Sequence, residues 1–240
     1  MWDNFAQQLY DNIIRNERWI MYLDGLKNTL LLTLGAAAIG IVLGSLVAIC
    51  KVYLKNEKKP RNLFAQWLDR LLGFLCDLYL TIIRGTPMMV QVLIFCWIIF
   101  AKFPISMNFY AAMIAFGINS GAYVAEIVRA GINAVNIGQT EAGRSLGLTG
   151  GMTMRFIVLP QAIKNILPAL ANEAIMLVKE TAIVGYAAQQ DITYVATMIR
   201  SRTYSPVPLL FIALVYLIIV MLMTYGTRKL ERRLARSDRS

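Results

Sequence analysis

No histidine occurs anywhere in the chain, which removes the commonest general base and metal ligand. Cysteine is scarce. Cys50, Cys76 and Cys96 stand isolated in apolar stretches without a CxxC pair, so they read as inert buried thiols and not as a metal or disulfide framework. Charge is scarce too, at 16 % of residues against about a quarter in an ordinary soluble domain. The opening MWDNFAQQLYDNIIRNERWI lacks the basic-then-apolar order of a cleaved signal peptide. It reads as an external amphipathic segment, residues 1–25, with Trp2, Tyr10, Trp19 and Tyr22 at the membrane interface.

What the chain has in excess is apolar length. The hydrophobic fraction is 58 % and the mean hydropathy +0.55 over 240 residues. These values point to an all-α polytopic membrane protein. A helical span takes roughly 20 residues, so five or six fit and a separate soluble catalytic domain does not. The formal charge of +10 is dealt out between apolar blocks. No basic stripe with interleaved aromatics appears, which argues against a nucleic-acid partner.

The first span reads as Leu26 to Val52, where Ala36, Gly40, Gly44 and Ala48 make one smooth face for close helix packing. KVYLKNEKKPRN follows, with Pro60 as a breaker, and its lysines and arginines place it in the cytoplasm. The N-terminus is therefore expected outside. Leu63 to Phe103 is too long for one span and is punctuated by RGTP at Arg84 to Pro87. The charge parity closes if Leu63 to Ile83 is a cytoplasmic-side entry helix and only Thr86 to Phe103 crosses. Further spans are expected at Phe109–Val128, Phe156–Val184 and Pro206–Tyr225, with an external loop at Gly185–Ser205. Five spans result, with a basic cytoplasmic tail at 230–240.

Ionisable groups at membrane depth point to a cavity, a partner or a pathway. In the third span Asn119, Tyr123 and Glu126 share one helix face. In the fourth, Asn165, Asn172 and Lys179 repeat every seven residues, as do Glu173 and Glu180, and Pro160 and Pro168 interrupt the backbone. Mutual satisfaction at a helix interface is the plain reading of each residue alone. Together the two faces fit a water-filled passage for a polar or zwitterionic solute.

Between these spans lies EAGRSLGLTGGMTMRFIVLP, with one glutamate, two arginines, four glycines and three hydroxyl side chains. Gly138, Gly143, Arg144 and Ser145 come within one residue of a phosphate-binding loop. The lysine is missing, however, and a helix precedes the segment where a strand is required, so ATP binding here is rejected. A short helix over Gln139–Leu146 is expected, with a turn at Gly147, Gly150 and Gly151. Such a rigid cytoplasmic knob, joined to two spans, is suited to passing movement from a soluble partner into the membrane.

At these residues the chain resembles the permease subunits of ABC importers, whose cytoplasmic signature is E-A-A-x3-G-x9-I-x-L-P. Glu141, Ala142 and Gly143, then Gly147, then Ile157, Leu159 and Pro160 match it in spacing, with Gly143 in place of the second alanine. RGTPMMVQ, NSGAYVAEIVRAGI, LPQAIKNILPALAN and LVKETAIVG resemble the polar amino-acid importers in particular. The resemblance implies a type I ABC transmembrane domain over 26–229 in a bacterial plasma membrane. The 141–147 helix would be the coupling helix, seated on a dimer of ABC ATPase subunits. A second permease, identical or homologous, an extracytoplasmic amino-acid-binding protein and membrane lipid would complete the assembly. ATP and magnesium would be bound by the ATPase; the chain itself is expected to hold no cofactor or metal and not to be an enzyme.

The residues expected to line the passage are Gln91, Asn119, Tyr123, Glu126, Asn172, Lys179 and Glu180. Their carboxylates lean towards arginine, lysine or histidine as substrate, with glutamine, glutamate or cystine as alternatives. An ATPase-independent carrier or channel is the rival class, and the complete coupling signature argues against it.

Overall fold

The computed structural model describes residues 2–55, 62–187 and 190–236. The break expected at Pro60 and the last residues of the basic tail lie outside them, as does the Trp2 side chain. The described chain is all-helical. Ten α-helices follow one another: α1 Trp2–Leu9, α2 Arg18–Lys55, α3 Leu63–Gly85, α4 Met88–Ile94, α5 Asn108–Asn133, α6 Ile137–Ser145, α7 Gly150–Thr153, α8 Leu159–Glu180, α9 Ile192–Thr203 and α10 Val207–Arg236. Single π-helical turns occur at Tyr10–Ile14, Phe95–Ile99 and Met154–Val158.

The long helices exceed the spans expected from hydropathy. At 38 residues, α2 is about 57 Å long, nearly twice a hydrocarbon core of roughly 30 Å. Apolarity marks the part that suits lipid, whereas backbone hydrogen bonding carries the helix on at both ends. Among the described residues, three helical segments are long and apolar enough to cross: Ala6–Leu54, Ile105–Asn133 and Val207–Leu234. A fourth is possible if α3 and the helix after its break form one span. The five expected spans are thus not all visible as apolar helices. Lys164, Glu173, Lys179 and Glu180 make α8 too polar to stand among them. The backbone is extended at Thr86 and Pro87, as a residue preceding proline and proline itself favour. The helical piece beyond, of 7 plus 5 residues, reaches only about 18 Å, shorter than the crossing expected there.

Two compact units are present, and the long helices contribute to both. The first comprises Met1–Ala38, Pro87–Gly117 and Ala174–Tyr225. Its main core joins Leu32 and Ala36 of α2, Val92 of α4, Cys96 of the π-turn that follows it, Ala111, Ala115 and Phe116 of α5, and Leu177 of α8. A second core gathers Tyr22, Ile192, Val195, Ala196, Ile199 and Ile212. Tyr22 is therefore not an interfacial anchor. It is 3 % exposed and packs edge-on against Phe211 with ring centroids 4.9 Å apart, while Tyr10 and Trp19 remain exposed. The stretch expected as an external loop contains α9, capped by the Asp191 carboxylate, which accepts from the Thr193 and Tyr194 amides. Burial pushes the Asp191 carboxyl up to about 6, although both amides pull it down.

The second unit comprises Ile39–Thr86, Ile118–Glu173 and Gly226–Ser240. Its smooth stripe does what small residues in membrane helices do. A Cβ on Gly44 would lie 2.5 Å from the Gly121 carbonyl oxygen, so α2 and α5 touch backbone to backbone. Across α2 and α3 the register is antiparallel. Leu54 approaches Gly73, Lys51 pairs with Asp77 at 2.5 Å, and Val47 packs beside Leu80. That register puts the Cys50 and Cys76 thiols within interaction range of each other. They are isolated in sequence and neighbours in space.

Candidate functional site: a polar knob and polar helix faces

The knob is built by local rules. The Asn136 side chain accepts from the Gly138 amide at 2.8 Å and starts α6. At its end Gly147 adopts φ +86°. The Gly147 amide donates to the Arg144 carbonyl at 3.0 Å, and the Leu148 amide to the Gly143 carbonyl at 3.1 Å. This is the Schellman closure, which favours a glycine where the chain turns left-handed. Thr149 then caps α7, accepting from the Met152 amide. Gly150 and Gly151 are the first residues of that helix, so only Gly147 makes the turn expected of all three.

The spacing of the signature has a geometric reason. Gly143 is buried, and a Cβ there would stand 2.8 Å from Ile157 Cδ1 and 2.9 Å from Thr153 Cγ2. The first and last parts of the motif therefore pack on each other, with Val158 buried beneath. Gln161 Nε2 donates to the Ile157 carbonyl at 3.0 Å and to Gln139 Oε1 at 3.4 Å, joining the start of α8 to α6. Glu141 and Ala142 face outward. Ile137, Leu146 and Phe156 are exposed at 70 %, 83 % and 61 %, so the segment presents apolar side chains as well as the Glu141 carboxylate. Leu159 and Pro160 are exposed at the first turn of α8.

The passage residues divide between the units. In the second unit Asn119 is buried and Tyr123 is 40 % exposed, with the Arg84 guanidinium 5.7 Å from its ring centroid. Glu126 is held by two arginines. Arg129 donates to its Oε2 through Nε at 3.0 Å and Nη2 at 2.5 Å, and Arg84 Nη1 stands 3.8 Å from Oε1. Ser120 Oγ donates to Glu173 Oε1 at 2.9 Å, linking α5 to α8. Sequence reasoning passed over this pair because Ser120 sits one place off the Asn119 face. The two polar faces, read separately, gave no cross-helix register. Along α8, Asn165, Asn172 and Lys179 form one exposed stripe, as their seven-residue spacing predicts. In the first unit Gln91 is buried, Lys179 exposed and Glu180 half-buried.

The family model for the binding-protein-dependent transport system inner membrane component matches residues 40–236. The putative glutamine transport system permease protein GlnP of Rickettsia bellii (strain RML369-C) is 38 % identical over 232 residues, covering 94 % of this chain and 99 % of its own length. The arginine transport system permease protein ArtQ of Bacillus subtilis (strain 168) is 36 % identical over 219 residues, covering 90 % and 93 %. A crystal structure of an amino acid ABC transporter with histidines superposes with a TM-score of 0.76 at 39 % identity, over 89 % of this chain and 94 % of that one. The inward-facing MetNI methionine ABC transporter, at 19 % identity and a TM-score of 0.73, shares the fold. Family, fold and knob agree: the chain belongs to the binding-protein-dependent inner membrane components, as a multi-pass permease subunit of an ABC amino-acid importer.

Proposed function

We propose that this permease imports a polar amino acid of the glutamine type, driven by a separate ATPase through the 141–160 knob. The carrying observation is the fate of Glu126, whose carboxylate is held by Arg129 and Arg84. The sequence leaned to a basic substrate because of Glu126, Glu173 and Glu180. One of these is neutralised by two guanidinium groups, and Glu180 directly follows Lys179. In the second unit Glu126 and Glu173 stand against Arg84, Arg129 and Lys164, leaving no excess of negative charge to favour a cation. Asn119, Tyr123 and Asn172, all in the second unit, supply amide and hydroxyl groups that suit a zwitterion with a neutral amide side chain. Arginine is the second reading, supported by the likeness to the arginine transport system permease protein ArtQ.

In this reading the membrane domain covers 26–229 in the type I arrangement and crosses five times, with α8 as the polar, protein-shielded crossing. The N-terminal segment 1–25 lies outside and the basic tail 230–240 inside. Glu141 and Ala142 engage a groove of the ATPase, Gly147 turns the chain at the end of that helix, and Gly143, packed on Ile157, passes the movement with Ile157, Leu159 and Pro160 into α8. Two such ATPases carry ATP and magnesium, a second permease pairs with this one, and a binding protein delivers the substrate outside. A ligand shifts a conformational equilibrium only by its differential affinity, so ATP must alter the contact that the ATPases make with the knob. Reconstitution with the cognate ATPase and binding protein tests the reading. Glutamine uptake that unlabelled arginine fails to displace is expected; arginine uptake that glutamine fails to displace overturns the amide assignment.

A further inference from the structure

Outside the knob and the polar faces, the first unit carries a cavity of about 520 Å³ between the N-terminal segment and the α9–α10 corner. That volume lies within the roughly 300–1,000 Å³ of small-ligand sites. Its lining combines both signs of charge with neutral polar groups: Asp11, Arg15 and Arg18 beside Asn16, Thr203 and Ser205.

The walls are fixed before any ligand arrives. Asn12, 2 % exposed, donates to the Gln8 carbonyl at 2.8 Å and accepts from Thr203 Oγ1 at 2.7 Å. Ser205 Oγ donates to Gln8 Oε1 at 3.2 Å. Among the described residues, the non-glycine positions with positive φ are Asn16 at 57°, Glu17 at 56° and Tyr204 at 53°. Two of the three line this cavity and the third adjoins it. Backbone held in a sparsely populated region persists where the surroundings over-determine it, and ligand clamps are one such place.

The charged groups keep capacity to bind. Arg15 Nη1 donates to Asp11 Oδ1 at 3.2 Å, Arg18 Nη1 to the Asp11 carbonyl at 2.7 Å, and Gln7 Nε2 to Asp11 Oδ2 at 3.3 Å. A guanidinium has five donors and a carboxylate about four acceptor sites, so these bonds use one donor of each arginine and about half of the Asp11 carboxylate. An anion alone, such as a lipid phosphate, would meet the Asp11 carboxylate along with the arginines. A zwitterion satisfies both: its carboxylate takes charge-assisted bonds from the guanidinium groups and its ammonium faces Asp11.

We propose that this cavity is an accessory site for a free α-amino acid, separate from the passage, with Arg18 and Arg15 receiving the α-carboxylate, Asp11 the α-ammonium, and Thr203, Ser205 and Asn16 the side chain. In the proposed topology it opens on the outer face. The site then holds the amino acid near the entrance after the binding protein has released it. The inference rests on the reading of the chain as an amino-acid permease.

Equilibrium dialysis of the purified, detergent-solubilised permease against labelled L-glutamine and L-arginine tests it. Saturable binding is expected, weakened at least tenfold when the probe is the α-methyl ester or the N-acetyl derivative. Arg18→Gln and Asp11→Asn each weaken it at least tenfold, while Asn172→Ala, a passage substitution, leaves it in place. Absence of binding by the unaltered protein, derivatives that bind as well as the free amino acid, or binding lost on Asn172→Ala and kept in Arg18→Gln overturns the site. The derivative series needs no substitution, so a variant that misfolds does not spare the proposal. A reconstituted importer that takes up amino acid while its permease shows no such binding loses only this inference; one that takes up none refutes the transport reading.

Discussion

Replacing Gly147 by alanine isolates a backbone term at the centre of the knob. Gly147 has φ +86°, and an added Cβ meets nothing within 4 Å. The substitution therefore creates no clash and acts through conformation alone. An L-residue in the left-handed region costs about 1–2 kcal/mol, which is a factor of roughly 5–30 in a local equilibrium. That equilibrium is the opening of the Schellman closure, reported by the Leu148 amide, which donates to the Gly143 carbonyl. Hydrogen exchange at Leu148 is expected to speed up by about that factor in Gly147→Ala. Gly147→Asn accelerates it less, because asparagine tolerates the left-handed region. Coupled uptake falls in the same order. Unchanged exchange in Gly147→Ala, or asparagine behaving no better than alanine, would show that the turn does not depend on glycine.

Three further outcomes follow from the contacts. Glu126→Gln removes the carboxylate that Arg84 and Arg129 share, so stability drops by about 1–3 kcal/mol while the order of preferred substrates stays the same; a changed substrate order in competition assays would make Glu126 a substrate ligand. The Asp191 carboxyl, raised from 3.8 to about 6 by burial, contributes stability that is complete below pH 4 and is lost as pH rises through 6. Acidification from pH 7.5 to 5 should therefore stabilise the protein by about 1 kcal/mol, a gain absent from Asp191→Asn, which retains a capping side chain; thermal unfolding at the two pH values measures it. Mild copper-catalysed oxidation should join Cys50 to Cys76 within one chain, as peptide mapping will show, and Cys50→Ser abolishes the product; two free thiols after oxidation would refute the α2–α3 register.

The knob was partly legible in the sequence because its information is local. Its helix α6 falls within two residues of the expected limits, whereas no cap at Asn136 was expected and the turn expected of Gly147, Gly150 and Gly151 is made by Gly147 alone. The contact of Gly143 with Ile157 was implicit in the motif spacing, but its meaning needed the fold. Relations between helices were far less legible. Hydropathy located the apolar lengths of α2, α5 and α10 and missed their ends, because hydrogen-bonded helix continues past the membrane boundary. It missed α9 altogether, where Ile192, Val195, Ala196 and Ile199 bury one side of a segment of low average apolarity. Single-helix faces also hid pairs formed across helices. Ser120 with Glu173, Arg84 with Glu126, and Cys50 with Cys76 each depend on a register between two helices, which no periodicity within either one encodes. Tyr22 failed as an interfacial anchor for the same reason, since Phe211 lies far away in the chain.

The central claim is that ATP hydrolysis on a separate subunit moves this permease through its knob. Its most direct test is ATP-dependent uptake of labelled glutamine into proteoliposomes holding the permease, its ATPase and its binding protein, with intact chain compared against Glu141→Lys. Uptake that requires ATP is expected of the intact chain, and hydrolysis without uptake of the variant. Uptake that persists without ATP, or full uptake by Glu141→Lys, would contradict it.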